Sequence, residues 1–195
     1  MADRRAAAPA RRVPILTVTD AIAALNPGAV VMVGIAFGVD PERQEIGDVL
    51  VARQLLAYDL QRVGSNGTRT SVVPRGDRVS PSPRLLDRCR AAAVTWRECT
   101  VHFGLVVSGV KLVDNRTFRD GLLQLAGGEV EGGEMEGAGL YAAAHRRKID
   151  WILVKAICDW ADGAKGFRKA ERQGIAARNA AQFLSHTLRQ GGLTG

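Results

Sequence analysis

Long apolar runs are missing from this chain of 195 residues. None reaches the roughly 18–20 apolar positions that a membrane-spanning helix needs, so a soluble protein with no membrane partner is expected. Cysteine is scarce. Cys89, Cys99 and Cys158 are odd in number and show no CxxC spacing, which argues against a disulfide framework or a zinc knuckle and for a reducing, cytoplasmic setting. Aromatic residues make up only 5%, and no basic stripe is interleaved with them. The excess of 27 Lys and Arg over 20 Asp and Glu, net +7, is scattered through an Arg/Ala-rich chain, so no nucleic-acid partner is expected. The opening MADRRAAAPARR carries charge without an apolar segment and is not a secretory signal. There is no Walker-type loop, no GxSxG and no EF-hand spacing. His102, His145 and His186 are too far apart in sequence to read as a ligand set, and each reads as a satisfied or solvated side chain. No metal and no cofactor is expected.

What is present fits a single α/β domain. Apolar residues at 46% and charged residues at 24% can build one core. Residues 1–14 read as a flexible Arg/Ala/Pro arm, with the domain over 15–195. The pattern predicts a helix over Thr17–Leu25 and a strand over Ala29–Val33 that enters a glycine loop, Gly34–Gly38. A strand over Asp48–Ala52 follows, then an exposed loop from Arg62 to Ser80 rich in Gly, Ser, Asn and Thr. Ser82 as N-cap and Pro83 at the first helical position start a helix to Ala93. A strand is expected over Val101–Ser108, a helix over 115–125 capped by Asn115, and a helix over Glu134–Arg147. Trp151–Ile157 is an almost continuously apolar strand. A last helix over Phe167–Gln190 carries Ala176, Ala180, Phe183, Leu184, Thr187 and Leu188 at helical spacing, with Gly191 past its end. Strands alternating with helices predict a mixed central sheet flanked by helices.

Two segments depart from a plain structural pattern. In Gly132-Gly133-Glu134-Met135-Glu136-Gly137-Ala138, two acids flank a methionine where a helix begins; acids in that position also serve simply to complement a helix dipole. Together with Glu129 and Glu131 they read as a solvated acidic turn rather than a Mg²⁺ or Ca²⁺ site. In Lys155-Ala156-Ile157-Cys158-Asp159-Trp160, an acid directly follows a buried strand, where α/β folds hold ligands and carboxylates are readily perturbed. Cys158 reads as a buried, inert thiol.

Glu134-Met135-Glu136, followed one helix and one strand later by Lys155 to Asp159, resembles the signature of the nucleoside phosphorylase/nucleosidase family. Val31 to Gly38, Gly47 to Val51 and Leu105 to Gly109 are similar to its glycine loop and two further strands, in the same order. The resemblance implies a nucleoside-phosphorylase-like fold and cleavage of the N-glycosidic bond of a purine nucleoside or nucleotide. It implies Asp159 as general acid to the base and Glu136 as stabiliser of the ribosyl cation. Met135 would pack beneath the sugar, Glu134 would hold a ribose hydroxyl or face solvent, Leu112 and Val113 would flank the base, and Lys155 would lie near the water or phosphate side. Gly34, Ile35 and Ala36 fall in the substrate loop. Where relatives offer a serine or an arginine to phosphate, this chain has Ile35 and Met32, which favours hydrolysis, in the manner of methylthioadenosine/S-adenosylhomocysteine nucleosidase, over phosphorolysis. The family's first strand, which in hydrolases contributes a water-activating acid, has no counterpart in residues 1–16, so the chain reads as N-terminally incomplete, with a nucleoside-binding domain as the alternative. Relatives are oligomers, so a homo-oligomer is implied.

Overall fold

The computed structural model describes residues 14–191, other than 60, 67, 68, 75, 77 and 128. The arm expected over 1–14 lies outside the described residues except for Pro14, which opens the first helix. In chain order the elements are α1 Pro14–Leu25, β1 Ala29–Gly38, β2 Val49–Ala57, β3 Gln61–Asn66, β4 Arg69–Pro74, β5 Arg78–Val79 and α2 Pro83–Thr95. They continue with β6 Val101–Ser108, α3 Arg116–Leu125, β7 Val130–Glu134, α4 Gly137–Arg147, β8 Asp150–Asp159 and α5 Lys169–Arg189. No helix among the described residues is long and apolar enough to cross a membrane.

The main sheet runs β5-β2-β6-β7-β1-β8, and β2 also pairs with β8, so five of the strands close into a ring. The sheet is mixed, as expected: β1 with β8, β2 with β6 and β6 with β7 are parallel, and β1 with β7 and β2 with β8 are antiparallel. The β1–β7 contact covers only Phe37↔Gly133 and Gly38↔Gly132. Both glycines are required there: a Cβ would come within 2.5 Å of the Phe37 carbonyl oxygen at Gly132, and within 2.2 Å of the Phe37 ring at Gly133.

Helices cover the sheet through the residues their spacing selects. Ala176, Ala180 and Phe183 of α5 pack on Ile152, Val154 and Ala156 of β8. Burying a side chain of the size of Phe183 contributes about 1.5–3 kcal/mol. The α5 stripe is narrower than its sequence pattern, since Leu188 is 49% exposed. Val18 and Ile22 of α1 pack against Leu140, Ala143 and Ala144 of α4. Asn115 caps α3, its side-chain oxygen accepting the Phe118 N–H at 2.9 Å.

Four local expectations are corrected. Residues 34–38 are strand rather than loop, because β1 keeps pairing with β8 as far as Phe37. The stretch from Arg62 to Ser80 holds a hairpin, β3–β4, and the short β5, because its many small polar residues still pair along six-residue strands. Ser82 makes no side-chain cap; Pro83, with its fixed φ, begins α2 without one. The helix expected from Glu134 starts at Gly137, and Glu134 ends a strand. Glu131 and Glu134 therefore belong to no solvated turn. Glu131 accepts from the buried Gln44 amide at 3.0 Å, and Glu134 is buried.

Candidate functional site

The ends of β1, β7 and β8 and the start of α5 surround a cavity of about 520 Å³, within the usual range of roughly 300–1,000 Å³ for small-molecule sites. Every site residue expected from the sequence lines it: Gly34, Ile35, Ala36, Leu112, Val113, Glu134, Met135, Glu136, Lys155 and Asp159. Val113 is buried, whereas Leu112 is 64% exposed at the rim.

Glu134 anchors one side. It closes β7, and its carboxylate accepts the N–H groups of Glu136 and Gly137, each at 2.9 Å, where α4 begins. It thereby satisfies orphan donors of the first helical turn, which the local Glu136 side chain leaves alone. Lys155, buried in β8, reaches Glu134 at 3.3 Å and Glu136 at 2.9 Å. Gly34 stands opposite Lys155 in the β1–β8 register. A Cβ on Gly34 would sit 3.0 Å from Lys155 Nζ, so this glycine makes room for the lysine. Burial pushes the Glu136 carboxyl upward, but the neighbouring Lys155 charge and the hydrogen bonds it receives hold it below the ordinary carboxylate value. Its side chain is 42% exposed and so open to a ligand.

Asp159 ends β8 and also lines the cavity. Its Oδ1 accepts the Ala161 N–H at 2.9 Å. Ala161 adopts φ 51, a left-handed turn that brings this N–H back onto the carboxylate. Oδ2 receives the Cys158 thiol at 3.2 Å and the Lys165 ammonium at 3.3 Å. Burial first, then the Asp159 charge, pushes the Cys158 thiol up to about 12, so it stays protonated and inert, as expected. Arg119, a buried guanidinium, donates to the Trp160 carbonyl at 2.8 Å and fixes the chain just past Asp159.

Sequence reasoning missed Phe37, Lys111, Lys165, Lys169 and Gln173, all of which line the cavity. Phe37 was assigned to a glycine loop and has no motif of its own. One signal for the lysines was available, namely their rarity in an arginine-rich chain. Outside the cavity, His102 is a satisfied side chain, 2.9 Å from Asp48, whose other oxygen accepts the Thr100 N–H.

Comparison with known proteins bears on the fold and the family. The chain is 29% identical over 182 residues to a death domain-containing ATP nucleosidase of Amphimedon queenslandica, covering 84% of this chain. It spans 34% of that relative's length. Its fold matches the 5′-methylthioadenosine/S-adenosylhomocysteine nucleosidase of Neisseria meningitidis, solved with methylthio-immucillin-A, at TM-score 0.79 and 22% identity, covering 91% of this chain and 76% of that one. It also matches the futalosine hydrolase of Helicobacter pylori at TM-score 0.76 and 21% identity, covering 91% and 75%. The family model described as the phosphorylase superfamily matches residues 8–189, and the chain belongs to that family.

Proposed function

We propose that the protein hydrolyses the N-glycosidic bond of a purine nucleoside or nucleotide. The observation that carries this reading is the placement of two acids in the lining of one cavity, Glu136 paired with Lys155 and Asp159 at the end of β8 paired with Lys165. Cleavage passes through a ribosyl cation and is easiest when the base leaves neutral. Glu136, held ionised, accepts hydrogen bonds from ribose hydroxyls and stabilises the developing positive charge. Asp159 gives a proton to the imidazole-side ring nitrogen of the purine. Met135 packs beneath the sugar and Val113 beside the base. Glu134 sets the start of α4 and holds Lys155 in place. The family membership and the ATP nucleosidase named among its relatives support a purine substrate. Ile35 and Met32 offer no donor to an inorganic phosphate, which favours water as the acceptor.

The test is release of free base from adenosine, methylthioadenosine and AMP, with and without inorganic phosphate. Release without phosphate is expected, and Glu136→Gln should abolish it. Release that requires phosphate would make the protein a phosphorylase instead. The pH dependence follows from Glu136. Its folded value is depressed, so the Lys155 pairing contributes fully above the ordinary value of 4.5 and is lost only as pH falls through the lowered one. Ribose binding should therefore persist below pH 4.5, and a titration showing it lost at higher pH would remove Glu136 from this role.

A second reading, a nucleoside-binding domain without turnover, is favoured by one observation. The edge of β1 turned away from β8 pairs with no described strand over 29–36. The family resemblance implies a strand bearing a water-activating acid. Calorimetric binding of adenosine with no release of adenine would select this reading.

A further inference from the structure

The cavity holds more positive charge than a nucleoside needs. Four of the five lysines in the chain, Lys111, Lys155, Lys165 and Lys169, line it, and no described arginine does. Lys155 is matched by Glu134 and Glu136, and Lys111 by Asp59 at 3.4 Å. Lys165 and Lys169 are different. Lys169 is exposed, lies one helical turn before Gln173, which also lines the cavity, and has no ion-pair partner among the described residues. It is the first residue of α5, whose first turn also holds Glu171, paired with Arg168.

Lys165 occupies the atom that the base requires. Asp159 Oδ1 accepts the Ala161 N–H, and Oδ2 carries both the Cys158 thiol at 3.2 Å and the Lys165 ammonium at 3.3 Å, so the ammonium stands where a purine nitrogen would approach. A base that approaches Oδ2 competes with Lys165 for that atom. Its side chain is only 16% exposed, and an ammonium that is largely buried needs a new counter-charge when it leaves the old one. A lysine suits such a move because its point charge sits on a flexible stem and is not tied to the planar two-point geometry of arginine.

We propose that the substrate is a nucleotide whose 5′-phosphate is bound by Lys165 and Lys169, and that this phosphate draws Lys165 off Asp159 and so opens Oδ2 to the base. The proposal rests on the nucleosidase reading and adds the substrate class to it. Lys165 shields the acid. A ligand with both base and phosphate releases it most readily and uses it.

Calorimetry on the protein with adenine, adenosine and AMP tests this. AMP should bind at least about tenfold more tightly than adenosine, the scale of a charge-assisted hydrogen bond. Lys165→Met and Lys169→Ala should each lower the AMP-to-adenosine affinity ratio about tenfold, and Lys165→Arg should restore most of it, with melting temperatures confirming folded variants. Equal affinity for AMP and adenosine overturns the proposal and leaves the nucleosidase reading standing. So does a ratio that survives both substitutions. If Lys165→Met weakens adenine as much as AMP, the lysine reads the base and the phosphate assignment is wrong. Failure of adenine, adenosine and AMP alike to bind removes the nucleosidase reading and the proposal with it.

Discussion

Asp159→Asn is expected to slow base release by about a hundred- to ten-thousandfold, the range that a positioned general acid contributes. The fall should appear in kcat, with much less change in KM, because the amide keeps the size of the side chain and can still accept the Ala161 N–H that orients it. What is lost is the proton. Without it the purine must depart as an anion, and the cation forming on the ribose is not matched by a neutral leaving group. Single-turnover release of base from AMP measures the chemical step directly. A substrate whose base leaves readily without protonation should lose far less, and that selectivity separates a lost acid from a damaged site. A variant as fast as the parent on both substrates would show that Asp159 is not the acid.

The second large effect is on stability. Lys155→Met keeps the apolar stem but removes the ammonium between Glu134 and Glu136. The Glu134 side chain is completely buried, and breaking a buried pair by deleting one partner costs about 3–5 kcal/mol. Two backbone N–H groups still point at Glu134, so the lower end, about 3 kcal/mol, is expected. In a chain of this size that lowers the melting temperature by about 6–12 °C. Adding Glu134→Gln to Lys155→Met should recover part of the loss, since the buried charge has then gone as well. If Lys155→Met melts with the parent, the ammonium is not what holds the Glu134 corner together.

Much of this site could be read in the sequence because its acids sit at changes of element. Asp159 follows an apolar strand interrupted only by Lys155, and Glu134 and Glu136 stand among glycines before a helix, so both segments broke the pattern of their neighbours. The strand β7 was not legible. VEGGE has little strand propensity, and its glycines are there because β1 passes too close for a Cβ, a constraint visible only once both strands are in place. For the same reason Gly34–Gly38 reads as a loop in one dimension and is a strand in three, where β8 pairs along it. Lys165 lies in a segment without hydrophobic period or motif, and Lys169 near the start of the last helix, before its apolar spacing begins at Ala176. That both line the cavity goes with the left-handed turns at Ala161 and Arg168, which no local pattern announces.

The double pairing of β8 has a consequence for how the two ends of the cavity move. Val154, Lys155 and Ala156 are bonded to β1 on one side and β2 on the other, so their amides open only with the sheet itself. Residues 162–168 lie beyond the ring, between β8 and α5, and can open alone. In hydrogen exchange the Lys155 amide should follow global unfolding, and those around Lys165 should exchange far sooner. The Glu134–Lys155 corner is thus a fixed template, and the basic segment is the part able to rearrange around whatever is bound.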